Sequence, residues 1–322
     1  MGEFSGADSA VLKCNPSAMS AIIELTEVCN LNCIYCGRHS AFKEHNPKHI
    51  EDDVYNKSIA FCRDLGVKNI SLLGAGETTM HPQWIDKVTK LMQDGFNVSL
   101  PTNFAKKMSW DEALVLARCA TVGLSIDTAD QDSLSKLRRG LQLTTFAYNT
   151  NLVRSAAAYL GIQCPPFIWT GVLSNVALYG DIRKLAAFAV GCGINTLNLI
   201  PLQKSKSELD NREFDWITRM TAVELREFIN ALKDSESILN TAGIKLIVTP
   251  AQLNDVRNVI LKGYGDTSIT RMPEVMQLEY MDDNFSYSHT LAPVEGETRS
   301  CDMPWNMLII NQRGEIVTCC YR

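Results

Sequence analysis

The stretch "SAIIELTEVCNLNCIYCGRH", Ser20 to His39, decides how the rest of the chain is read. Its first seven residues, Ser20 to Thr26, have the apolar, β-branched composition of a buried strand. A polar loop follows at once and carries Cys29, Cys33 and Cys36 in C-x3-C-x2-C spacing. A strand that opens straight into a loop rich in metal-binding side chains is the arrangement of parallel β/α folds. In those folds the chemistry sits at the carboxyl ends of the strands.

The same alternation continues downstream. Strands are expected at 67–74, 96–103, 121–127, 166–174 and 195–203. Helices are expected between them at 53–66, 83–95, 109–119, 131–139, 144–160 and 181–193. Glycines at 66, 95, 161 and 193 mark helix ends, and Ser109 is placed to cap a helix. Six β/α units of about 30 residues predict a parallel sheet covered by helices. The fold class is therefore α/β, a partial (β/α)6 TIM-like barrel with a small C-terminal hairpin domain. The expected divisions are an N-terminal extension at 1–19, the barrel at 20–216, a connecting helical and irregular segment at 217–290, and a terminal segment at 291–322.

Composition narrows the function classes. The 322 residues are 46% hydrophobic and 21% charged, with net charge −5 and no basic block. Nonspecific nucleic-acid binding is not expected. The uncharged run from Ser155 has Pro165 and Pro166 in it and reads as a buried strand, so no membrane span is expected. "MGEFSGADSAVLKC" has no apolar signal-peptide run, and the reading is cytoplasmic. There, eleven cysteines point to metal or catalysis more than to disulfides.

Thiolate sites hold zinc or iron–sulfur clusters. Structural zinc needs four ligands, for which His39, His45 or His49 could supply the fourth. A four-iron cluster held by three cysteines leaves one iron open to a small molecule. Both readings stand on the residues alone.

The C-x3-C-x2-C loop after strand one, with Tyr35 before its last cysteine, resembles the radical S-adenosylmethionine (SAM) superfamily. The resemblance implies a 4Fe–4S cluster on Cys29, Cys33 and Cys36 whose open iron chelates SAM. It also implies reductive cleavage of SAM to a 5′-deoxyadenosyl radical that abstracts a substrate hydrogen. "GAGETTMHP" resembles the family's Gly-Gly-Glu motif, with Ala75 replacing one glycine. Gly76 would give close backbone approach and Glu77 would pair with the cofactor ammonium. Ser125 and Asp127 stand where the family places a polar cofactor contact, and Arg138 or Arg139 where it places the arginine for the methionine carboxylate. Thr102 and Asn103 would face the cavity, the adenine would lie near Tyr35 and Ile200 to Leu202, and His81 is a candidate substrate contact. Cys62 and Cys119 read as small hydrophobes.

"CDMPWNMLIINQRGEIVTCC" reads as a hairpin with cysteines at both outer ends. Cys301, Gly314 and Cys319 give C-x12-G-x4-C, which resembles the opening of the SPASM or twitch auxiliary-cluster segment. Cys320 is the obvious third ligand, and no fourth is apparent. An incompletely ligated auxiliary iron–sulfur cluster or a truncated form is implied. The expected activity is oxidation (dehydrogenation) or epimerisation of a small polar substrate such as a sugar or aminocyclitol, with electrons from a reductase such as flavodoxin or ferredoxin. Peptide (RiPP) maturation is the second reading, and a noncatalytic zinc-binding β/α protein the third.

Overall fold

The computed structural model describes residues 20–38, 46–173, 180–201, 222–248 and 307–317. Strands β1 (Ser20–Ile23), β3 (Asn69–Ser71), β4 (Asn97–Thr102), β5 (Thr121–Ser125), β7 (Phe167–Leu173), β8 (Thr196–Pro201) and β9 (Lys245–Val248) run parallel in that order across one sheet. The short β2 (Asn32–Cys33) and β6 (Arg138–Arg139) form a separate antiparallel pair. Helices α1 (Asp52–Asp64), α2 (Trp84–Gln93), α3 (Trp110–Leu116), α4 (Gln131–Leu137), α5 (Leu143–Leu160), α6 (Gly180–Cys192) and α7 (Ala222–Thr241) join the strands. The parallel β/α architecture expected from the sequence is therefore the fold, with β9, read from the sequence as a strand at 244–250, continuing the sheet past the six β/α units.

The two faces of the sheet differ in chemistry. One carries Ile23, Ile70, Val98, Leu100, Val122, Leu124, Trp169 and Leu197, all buried. Trp169 meets Phe146 of α5 and Phe188 of α6, which identifies this as the helix side. The opposite, inner face is mixed. Ser71, Ser99 and Thr121 align across β3, β4 and β5, and Ser125, Thr170 and Asn198 across β5, β7 and β8, among Ile22, Ile168, Val172 and Ile200. The polar positions are only partly buried. Closed barrels of this type fill the same positions with branched apolar side chains; here hydroxyl and amide groups stand among the apolar ones.

Local signals explain the element boundaries. Ser109 accepts from the Glu112 backbone while Glu112 returns a bond to the Ser109 N–H, a capping box that contributes about 1 kcal/mol. Gly161 ends α5 in the left-handed region at φ 66°. Cys62 and Cys119 are buried in the core, as expected of small hydrophobes, and so is Cys192.

The C-terminal hairpin consists of β10 (Met307–Ile310) and β11 (Ile316–Val317). It joins the main sheet: β10 lies parallel to β1, with Ser20 opposite Met307 and Ile23 opposite Ile310. Asn311 holds the turn by accepting from Arg313 and Glu315 backbone N–H groups. Gly314 sits at φ 79°, and a side chain there would press on Val54 of α1. Cys14, His39, His45, Leu202, Cys301, Cys319 and Cys320 lie outside the described residues, as does most of the segment between β9 and β10.

Candidate active site at the cysteine loop

The cysteine loop begins where β1 ends and is clamped from three directions. From below, the β2–β6 pair sets Cys33 opposite Arg138 and Asn32 opposite Arg139, and Ile34 N–H bonds to Leu137 carbonyl. From the β3 side, Glu77 N–H bonds to Val28 carbonyl at 2.8 Å. A side chain on Gly76 would strike the Thr26 and Val28 carbonyl oxygens, at 2.3 and 2.5 Å. The glycine of the "GAGE" motif is therefore required here by the approach of one loop backbone to another. From the sheet edge, Gln312 of the hairpin turn donates to Glu27 Oε1 at 2.5 Å, and Lys48 N–H donates to Glu27 Oε2 at 3.0 Å.

Two buried carboxylates flank the loop. Glu77 Oε1 accepts from Thr79 Oγ1 at 2.8 Å and Thr102 Oγ1 at 2.7 Å, and Oε2 from Asn103 N–H at 2.8 Å. Every one of these donors is neutral, and among the described residues no lysine or arginine forms an ion pair with Glu77. On the far side Asp127 receives Arg138 in a two-pronged fork, Nε on Oδ2 and Nη2 on Oδ1, both 2.9 Å. Tyr35 O–H donates to Asp127 Oδ2 at 2.6 Å and Val172 N–H to Oδ1 at 2.9 Å. Tyr35 thus bridges the cysteine loop to the end of β5, and its ring lies 5.6 Å from the Arg138 guanidinium.

The donor set fits a polynuclear thiolate cluster. Burial pushes the Cys33 thiol up to about 12, with Arg138 pulling it back and Asp127, Cys36 and Cys29 adding to the rise. Cys29 is also raised, first by burial, and is relieved mainly by the Leu31 N–H. Cys29 and Cys33, both raised by burial, call for a cationic centre before they can act as thiolates. Leu31 N–H at 3.5 Å and Asn103 Nδ2 at 3.9 Å already donate to the Cys29 sulfur, as donors around a metal thiolate do. Among the described residues no three His, Cys, Asp or Glu side chains converge as ligands of a single ion. A four-iron cluster binds one thiolate per iron and does not require such convergence. Cys29, Cys33 and Cys36 would hold the cluster. The uncompensated Glu77 on one side and Arg138 on the other suit the ammonium and carboxylate of a zwitterion.

A family profile described as the Radical SAM superfamily matches residues 23–156, the span that builds this site. Residues 23–156 thus form a radical SAM domain. That family implies a 4Fe–4S cluster and SAM as cofactors. A probable GTP 3′,8-cyclase of Pyrococcus abyssi is 28% identical over 135 residues, 38% of this chain and 42% of that protein. The tungsten-containing aldehyde ferredoxin oxidoreductase cofactor-modifying protein of Pyrococcus furiosus is 24% identical over 213 residues, 62% of this chain and 56% of its own length. The chain thus spans about half the length of these curated relatives. Among solved structures, Streptococcus suis SuiB bound to its precursor peptide SuiA shares the fold. Its TM-score is 0.61 at 15% identity, covering 94% of this chain and 59% of SuiB.

Ser125 lies on the inner face opposite Thr170, partly exposed, and Ile200 lines the same face. Thr102 and Asn103 are buried: the Thr102 hydroxyl and the Asn103 backbone N–H brace Glu77, and the Asn103 amide donates to Asn30 Oδ1 at 2.9 Å beside Cys29. His81 is buried; burial, then Lys87 and His49, lower its pKa to about 4. His49 Nδ1 is 2.8 Å from the Thr26 hydroxyl. Glu24 and Glu27 are buried carboxylates that sequence reasoning passed over. Glu24 accepts from Ala75 N–H, tying β1 to the "GAGE" loop. Charged residues spaced three apart in "IELTE" at the end of an apolar strand were the available signal.

Proposed function

We propose that this radical SAM enzyme oxidises a small polar substrate, a sugar or aminocyclitol, held in the barrel lumen. The observation that carries this reading is the inner face of the sheet, where Ser71, Ser99, Thr121, Ser125, Thr170 and Asn198 place polar groups among Ile22, Ile168, Val172 and Ile200. Hydroxyl and amide groups suit a ligand that offers hydroxyls of its own. When bound, the cluster and SAM supply a carbon radical able to remove a substrate hydrogen.

This chain's residues do the rest. Cys29, Cys33 and Cys36 hold the metal, Glu77 and Arg138 receive the amino and carboxylate ends of SAM, and Tyr35 and Ser125 flank it. The polar row orients the substrate below. The hairpin around Gly314 supports a second cluster on Cys301, Cys319 and Cys320, which would take the electron left after hydrogen removal and proton loss. Epimerisation is the outcome if no electron is taken and a hydrogen is returned. Peptide modification is a second reading, favoured by the likeness in fold to SuiB.

Anaerobically reconstituted protein should carry about eight irons and the triple variant Cys29/Cys33/Cys36→Ala about four. Only the wild type should form 5′-deoxyadenosine. A sugar or aminocyclitol should raise that formation and lose two hydrogens itself. Four irons in wild type and none in the variant would remove the second cluster and the oxidation reading with it. Stimulation by peptides alone would move the substrate class to peptides.

A further inference from the structure

We propose that Asp127 is the positioning residue of the cofactor site: it aims Arg138 and so sets the preference for a ligand that bears a carboxylate. Asp127 does not touch the ligand itself. Its side chain is fully buried, and its two oxygens accept four bonds, from Tyr35, Val172 and twice from Arg138. A carboxylate has about four acceptor sites, so none is left over.

Arg138 is only partly used by this contact. The fork takes the Nε proton and one on Nη2, and a guanidinium has five. The protons on Nη1 remain for a second planar anion. The backbone of Arg138 is paired with Cys33, which keeps the guanidinium beside the cysteine loop. Without Asp127 a long, flexible side chain would have to find this orientation unaided, and its charge would stand buried and uncompensated. The same aspartate reaches the Val172 N–H, so it also registers the cysteine loop against the strand that carries Thr170.

The test is the affinity of reconstituted holoenzyme for two ligands, SAM and decarboxylated SAM, by equilibrium dialysis. Wild type should prefer SAM by ~10- to 100-fold, the range for a charge-assisted fork. Asp127→Asn, with its cluster iron retained, should cut that preference about tenfold, the remainder being the carboxylate's hold on the open iron, while binding of decarboxylated SAM changes little. A residue that merely props up the fold would weaken both ligands by one factor and leave their ratio intact; that result overturns the proposal, as does a wild type without preference. Should Asp127→Asn not fold, Asp127→Glu keeps the ion pair but shifts the fork by one methylene. A full preference in that variant would equally overturn it. The outcome does not depend on which substrate is oxidised.

Discussion

The two carboxylates beside the cysteine loop are buried alike and satisfied alike, yet they are not equivalent. Glu77 is held by hydroxyls and a backbone N–H, none of them cationic. Asp127 is held by an arginine, and the pair is neutral overall. A buried charge without a counter-ion is costly unless a ligand completes it. The Glu77 side is therefore unfinished until a cation arrives, whereas the Asp127 side is complete and merely directs what it holds. One flank of the site is a vacancy of charge, the other a piece of scaffolding.

This contrast predicts unequal mutational costs. Asp127→Asn leaves the Arg138 charge buried without its partner and should cost about 3–5 kcal/mol in a urea titration. Glu77→Gln disturbs hydrogen bonds but removes a bare charge, and should cost about 1–3 kcal/mol. Equal losses would mean that the two flanks do not differ as described. The double variant Asp127→Asn/Arg138→Gln should recover much of the first loss, because it removes both charges.

A smaller effect is expected one residue before Glu77. Gly76→Ala must push its loop away from the Thr26 and Val28 carbonyls. The cost should be about 1–3 kcal/mol. SAM affinity should fall while the preference for SAM over its decarboxylated form persists, since Asp127 is untouched. Loss of that preference would show the two flanks to be mechanically coupled.

The smallest effect is pH-dependent and belongs to the Glu77 side. His81 is held near 4, below its unfolded value of about 6.5. As pH falls from 6.5 towards 4, the unfolded chain takes up a proton that the folded chain refuses. Stability contributed by the neutral ring is full above 6.5 and is lost progressively down to 4. His81→Gln should reduce the stability difference between pH 7 and pH 5 by about 1 kcal/mol. An unchanged difference would place the pH response elsewhere.

Much of the architecture was legible because its causes are local. Buried parallel strands must be short apolar runs, and helices between them need caps such as Ser109 and Gly161. The cysteine motif was legible for the same reason, being eight residues long. What escaped the sequence depends on the chain folding back. Asp127 and Arg138 were both marked as cofactor contacts, but eleven residues and a helix separate them, and nothing in their spacing says that they grip each other. Thr102 and Asn103 were placed in the cavity because they end a strand. The Thr102 hydroxyl turns instead to Glu77, and the Asn103 amide to Asn30 and Cys29, both in different β/α units. The hairpin was foreseen, but its partner strand β1 is almost the whole chain away.

That last pairing bears on the order of assembly. β1 is an inner strand, yet the neighbour on one side of it is residues 307–310. During synthesis, which runs from the amino end, β1 can pair with β3 early but keeps an open edge until the hairpin has emerged. The brace from Gln312 to Glu27 arrives at the same late moment. The cysteine loop therefore reaches its final support only after almost every other element exists. Metal delivered to a nascent chain would meet a loop hinged on a half-paired strand, whereas metal delivered to the finished chain meets one held on all sides. The topology favours loading the cluster as a final step of maturation.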